Sequence, residues 1–198
     1  VKQDVLKALG AAGILNAGGG NFQIIFGTES DHLKDELKRL MTKPKSINLF
    51  SPIRGTLVPI EKVPDQTFSG KILGDGIAIL PTEGIVYAPL DATVAQVFRT
   101  NHAIALRTKD GAEILIHIGI DTVKMNGEGF KSFVSEGNQV VKGQKLIEFD
   151  LQLVKKRAPS VITPVVFLNM DAIAAVNPTA AEGSLVANST VILNYRVK

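Results

Sequence analysis

The chain has 198 residues, with 22 Lys+Arg against 19 Asp+Glu, a formal net charge of +3, three His, 45% hydrophobic residues and no Cys. That length suits one large domain or two small ones, and the hydrophobic share supports a buried core and argues against disorder. Without Cys there are no disulfides, thiolate zinc sites, iron–sulfur clusters or cysteine nucleophiles. Chemistry falls to histidines, carboxylates, hydroxyls or backbone.

No apolar run approaches the ~20 residues that span a bilayer, and no stretch has the pattern of an export signal. The small positive charge is spread along the chain instead of forming a basic arm. Its one basic cluster, Lys155-Lys156-Arg157, has few aromatics nearby to stack on bases and reads as a solvated turn, so nucleic acid is not a partner. Val1 in place of Met, already inside a helical pattern, reads as the start of a piece of a longer polypeptide.

In chain order, Val5, Leu6 and Leu9 recur at helical spacing, and Gly10 stands where a left-handed cap would stop a helix. Ile14-Leu15 leads into a loop, Asn16-Ala17-Gly18-Gly19-Gly20-Asn21. The triple glycine lacks the spacing of a dinucleotide fingerprint or a P-loop and reads as a plain turn. Phe22–Phe26 reads as a strand. A second helix follows, with Thr28 or Ser30 as cap and Leu33, Leu37, Leu40 and Met41 as its stripe; His32 lies on the polar side. This helix–strand–helix segment, 1–41, is too small to be stable alone. Residues 42–46, polar and proline-containing, form a linker.

From residue 47 to 198 short strands alternate with Gly, Pro and Asp turns, the pattern of a sandwich or barrel. One turn of helix is expected around Gly129–Phe133. An internal repeat supports the β reading: Phe50-Ser-Pro-Ile-Arg-Gly55-Thr-Leu-Val-Pro-Ile60 aligns with Tyr87-Ala-Pro-Leu-Asp-Ala92-Thr-Val-Ala-Gln-Val97. Two copies suggest equivalent strand–turn–strand units facing each other across one core, since a solenoid needs more repeats. Ala92 stands where the first copy has Gly55, which questions any need for glycine in that turn.

The strongest chemical signal lies between residues 100 and 123. Two strand candidates, Thr100–Arg107 and Ala112–Ile118, flank the turn Lys109-Asp110-Gly111. A two-residue loop at Lys109-Asp110 puts His102 opposite His117; one at Asp110-Gly111 puts it opposite Gly119. Both registers bring the imidazoles to one face, whereas a three-residue loop would separate them. A lone His among aliphatics is usually a satisfied core residue. Two that meet beside Gly119 and Asp121 point to a site. A neutral imidazole whose other nitrogen keeps its proton is a nucleophile near neutral pH, and a phosphoryl group on it would be stabilised by neighbouring donors. His117 as nucleophile, with His102 and Thr100 as donors, fits. The rival chemistry is a zinc hydrolase using the two imidazoles and Asp121 or Asp150, but no third ligand has an obvious spacing.

The stretch Gly111-Ala-Glu-Ile-Leu-Ile-His117-Ile-Gly119-Ile-Asp121-Thr-Val123 resembles the active-site signature of the glucose-type enzyme IIA domain of the bacterial phosphoenolpyruvate-dependent sugar phosphotransferase system. Gly74–Ile79, Thr100-Asn101-His102, Gly127–Phe130, Ile147–Asp150, Thr163–Val166 and Asn169-Met170 extend the likeness over 47–198. The resemblance implies a mainly β fold, an antiparallel β-sandwich or barrel with an internal repeat. It implies a phosphocarrier that takes phosphate from HPr on His117 and passes it to a cysteine of a IIB domain. His102 and Thr100 would support the transfer. Asp75 and Asp121 would be an acidic pair meeting basic groups on partners, with Gly119 beside them and Phe98 on an apolar rim. No cofactor is implied, although His102 and His117 could hold zinc adventitiously.

Leu6–Gly13 and Gln23–Thr28 resemble the second half of a glucose-type IIB domain, a small α/β fragment without the phosphocysteine. The expected arrangement is a partial IIB segment, a linker and a IIA domain, cytoplasmic in itself or as the cytosolic part of a membrane permease. A second reading is a regulatory module that docks target proteins through the Phe98–His102–His117 face according to phosphorylation state.

Overall fold

The computed structural model describes residues 7, 11–19, 21–26, 46–179 and 184–198. The chain divides into two compact units, Val1–Pro44 and Lys45–Lys198. Of the helix expected around Val5–Leu9 only Lys7 is described, and it is helical; the helix expected around Leu33–Met41, and His32, lie outside the described residues.

In the first unit, β1 (Gly13–Gly18) and β2 (Asn21–Ile25) pair antiparallel, Gly13 with Ile25 and Gly18 with Asn21. Four of the six residues of the expected loop, Asn16, Ala17, Gly18 and Asn21, are therefore strand. Gly18 and Gly19 have φ of 79° and 61° at the end of β1, where Gly18 pairs with Asn21, a left-handed conformation that glycine adopts without strain. Gly18 and Gly19 lead into the connection of this hairpin.

The second unit is built from antiparallel sheets. The largest has eight strands in the order β11 (Gln139–Val140), β7 (Ala92–Val97), β8 (Ala103–Arg107), β9 (Glu113–His117), β13 (Thr163–Phe167), β5 (Asp75–Pro81), β4 (Gly55–Pro59) and β15 (Ser184–Leu185). Two three-stranded sheets share its core: β10 (Phe130–Ser132), β12 (Lys145–Phe149) and β6 (Ile85–Tyr87); and β14 (Ile173–Pro178), β16 (Val191–Val197) and β3 (Ile47–Phe50). The layers form a sandwich, and none of the described sheets closes into a barrel.

Strand alternation sorts the side chains. Ile77 and Ile79 of β5, Ile104 and Leu106 of β8, Ile114 and Ile116 of β9, and Val165 and Phe167 of β13 point inward to Leu49, Val86, Leu146, Leu193 and Tyr195 of the small sheets. The intervening residues Ala78, Ala103, Leu115 and Val166 face the other way, where Ile60, Val63 and Phe68 cover them in a second apolar cluster. Helix α1 (Gln66–Ser69) carries Phe68 into it; the Asp65 carboxylate caps the helix by accepting from the backbone N–H of Thr67 at 2.8 Å and of Phe68 at 3.3 Å.

The repeat is expressed as a pseudo-twofold. Each copy crosses from a small sheet to the large one, β3 to β4 and β6 to β7. Two equivalent hydrogen bonds join them: Phe50 N–H donates to the Pro89 carbonyl at 3.3 Å, and Tyr87 N–H to the Pro52 carbonyl at 2.8 Å. At the nonmatching position the copies differ in what surrounds them. A Cβ on Gly55 would overlap the Leu80 carbonyl of β5 and lie 2.9 Å from Ile79 Cγ2, so glycine is required there, while Ala92 is accommodated in the core.

Two local expectations are corrected. Phe130–Ser132 is strand β10 instead of a helical turn, because Phe130 pairs with Phe149 across β12 and stacks on its ring at 6.1 Å. Lys155–Arg157 ends a helix, α2 (Leu151–Arg157), capped at its start by Asp150; basic groups in a last turn suit the helix dipole.

Candidate active site

His117 ends β9 on the outward face of the large sheet. Its Nδ1 lies 2.8 Å from the Gly119 carbonyl oxygen. A carbonyl only accepts, so Nδ1 carries the proton and Nε2 keeps its lone pair. Gly119 has φ of 69°, and a Cβ there would come within 2.7 Å of Thr122 Cγ2 and 3.0 Å of the Ser160 carbonyl; only glycine brings the carbonyl to the ring. Phe68 packs on the imidazole with centroids 5.2 Å apart.

His102 sits in the bend before β8, only 6% exposed. Its ring meets that of His117 nearly edge-on, at 4.9 Å and 81°, and that of Phe98 at 5.6 Å and 72°. Thr100 Oγ1 is 2.5 Å from His102 Nδ1. Burial, and then the neighbouring His117, push the His102 pKa down to about 4. His117 is lowered by burial, opposed by its bond to the Gly119 carbonyl and by the charges of Asp65 and Asp121. Both rings are neutral near pH 7, the form a nucleophile needs.

The histidines meet by a route the hairpin registers did not foresee. Ala103 pairs with His117 and Arg107 with Glu113. The Thr108 N–H donates to the Ala112 carbonyl at 2.9 Å, closing a three-residue loop, Lys109–Gly111. In a regular strand this would put His102 on the opposite face. Asn101, however, is left-handed at φ 55°, and the bend takes His102 out of the pleat and over His117.

A pocket of about 430 Å³ opens onto the pair, lined by Asp65, Phe68, Leu73, Phe98, His102, His117, Asp121 and Val123 among others. Of the expected residues, Phe98, His102, His117 and Asp121 line it, while Thr100 and Gly119 support the rings through hydrogen bonds. Asp75 does not. It lies in a neighbouring groove with Glu61 and Lys71, whose ammonium bridges the two carboxylates at 3.0 and 3.1 Å. Asp65 takes the place beside the histidines that Asp75 was expected to hold. The helix cap Val63-Pro64-Asp65 was readable as such, but nothing in its spacing pointed to the site. Phe68 and Leu73 were missed for the same reason.

Among the described residues no group of three or more His, Asp or Glu side chains is arranged to hold a metal. A neutral imidazole with Nδ1 fixed as donor, Nε2 left with its lone pair and a second neutral imidazole at its side is laid out to carry a group on Nε2. The pair stands at one face of an antiparallel sandwich.

Comparison with known proteins gives the family. The family model described as phosphoenolpyruvate-dependent sugar phosphotransferase system, EIIA 1, matches residues 47–173, and the chain belongs to this family. The PTS system glucosamine-specific EIICBA component of Bacillus subtilis is 47% identical over 188 residues, covering 85% of this chain and 30% of that protein. The PTS system glucose-specific EIICBA component of Staphylococcus saprophyticus is 42% identical over 189 residues, covering 84% and 28%. The chain thus spans less than a third of these curated relatives. Among solved structures, glucose permease IIA from Mycoplasma capricolum superposes with a TM-score of 0.68 at 34% identity, covering 76% of this chain and 96% of that one.

Proposed function

We propose that this chain is a phosphoryl carrier of sugar uptake, accepting phosphate from phospho-HPr on His117 Nε2 and passing it to a IIB cysteine. The observation that carries the reading is the His117 ring, held as the Nδ1–H tautomer by Gly119 with Nε2 free and His102 at its side. The Nε2 lone pair forms a bond to phosphorus as the donor's N–P bond breaks, and the donor imidazole leaves with that electron pair. In the second step a cysteine thiolate attacks phosphorus, and the Nε2–P electron pair returns to His117.

The neighbours supply the electrostatics. With the Thr100 hydroxyl donating to His102 Nδ1, His102 Nε2–H faces outward as a donor for a phosphoryl oxygen in flight. Thr100 then acts through His102 instead of touching the phosphate. Asp65 and Asp121 place negative charge at the pocket rim, suited to basic groups on a donor or acceptor, and Phe98, Leu73 and Val123 give that rim an apolar part. No metal enters these steps; zinc held by the two imidazoles would block the Nε2 lone pair. The described helices include none long and apolar enough to cross a membrane, which fits a cytoplasmic carrier, free or attached to a permease.

Incubation with phosphorylated HPr tests the reading. The unaltered chain gains acid-labile phosphate, the His117→Ala variant gains none, and the His102→Ala variant gains it but transfers it onward slowly. Uptake by the His117→Ala variant would overturn the assignment.

A further inference from the structure

Thr122 is fully buried, and its hydroxyl donates to the Ile118 carbonyl at 2.6 Å. Its methyl group lies against Gly119, so that a Cβ there would stand 2.7 Å from it. The loop it closes, 118–122, is tied at two further points: Ile118 N–H donates to the His102 carbonyl and Ile120 N–H to the Ser160 carbonyl, both at 2.8 Å. Two residues of that loop, Gly119 and Asp121, are left-handed at 69° and 60°. A non-glycine residue in that region persists only where its surroundings hold it. The element that presents a carbonyl to His117 Nδ1 is therefore a strained loop, and the Thr122 hydroxyl and methyl pin its middle.

We propose that Thr122 is a positioning residue for the phosphoryl-accepting histidine. It touches neither His117 nor the transferred group. By holding Ile118 and Gly119 it keeps the Gly119 carbonyl on Nδ1, which keeps the ring proton there and the lone pair on Nε2. Without the tie the carbonyl drifts, and the ring shares its proton between the two nitrogens. A fraction of the chains then presents an N–H where the nucleophile should be. The consequence for rate rests on the carrier reading; the consequence for the tautomer does not.

The experiment reads the tautomer directly, by the ¹⁵N shifts of the His117 ring in the labelled full chain near pH 7. In the unaltered chain the ring must be in the Nδ1–H form, and a ring in the Nε2–H form overturns the proposal with no variant needed. The Thr122→Val variant keeps the shape and removes the donor. Its ring shifts should move toward a mixture of tautomers, with phosphate uptake from phospho-HPr slowed about tenfold, the worth of one hydrogen bond. Thr122→Ser keeps the donor and should restore both. A Val variant with unchanged ring shifts, or a Ser variant displaced as far as Val, sinks the positioning role. A chain that shows the tautomer behaviour but takes up no phosphate in unaltered form keeps the positioning role and rejects the carrier reading.

Discussion

Acidification should destabilise the second unit through His102, by an amount the site geometry sets. The ring is 6% exposed, and its pKa falls from 6.5 to about 4 through burial and the adjacent His117. Above the unfolded value both states are neutral and the group contributes nothing. Below it, the unfolded chain binds a proton that the folded chain refuses, so stability falls as pH falls and levels off once the folded ring protonates. Each pH unit in that window is worth about 1.4 kcal/mol. At about pH 5 the loss is about 2 kcal/mol, a large share of a typical domain's stability. His117, lowered in the same direction, adds to it. The chain has no Trp, so urea unfolding is best followed by far-ultraviolet circular dichroism, at neutral pH and at about pH 5, for the unaltered chain and the His102→Gln variant. The variant should lose about 2 kcal/mol less than the unaltered chain over this interval. Equal losses, or a His102 titration by NMR near the ordinary histidine value, would refute the reasoning.

Further outcomes follow from the same structure. Gly55→Ala should cost about 3 kcal/mol in urea unfolding because its Cβ overlaps the Leu80 carbonyl, whereas Ala92→Gly at the repeat-related position should cost about 1 kcal/mol. Asp65→Asn keeps an oxygen to cap α1 but removes a charge that raises the His117 pKa; an NMR titration should find that pKa lower still, and a rise would contradict the placement of Asp65 beside the ring. Because burial already lowers His117, the rate of phosphate uptake should hold as pH drops through the ordinary histidine value and fall only below it. A fall centred on that ordinary value would mean the ring is solvated.

How much of this was legible in the chain depends on whether local pattern or distant packing decides. Strand alternation in Glu113–His117 and the apolar strands around it follows from their residues, as does the repeat that leads from the small sheets to the large one. The histidine pair was found, yet through a register the structure does not have, because the left-handed Asn101 bend leaves no periodic trace. Asp65 and Phe68 escaped because their site role comes from α1 folding back over the outer face of the sheet, a contact set by tertiary packing alone. Asp75 shows the converse. Only the family resemblance set it at the site; its own turn reads as a plain carboxylate, and in the fold Lys71 and Glu61 stand beside it in a neighbouring groove.

The pseudo-twofold has a consequence for where chemistry is stored. Thr56 pairs with Leu80 as its counterpart Thr93 pairs with Arg107. Counting back along β5 and β8 sets Asp75 against His102, and the neighbouring pairs Gly76–Val166 and Ala103–His117 set Val166 against His117. The strand pairing therefore repeats in the two halves. One copy carries two imidazoles; the other carries a valine and a carboxylate neutralised by a lysine. The strand frame repeats, and reactivity comes from the side chains and the Gly119 loop that one half has and the other lacks.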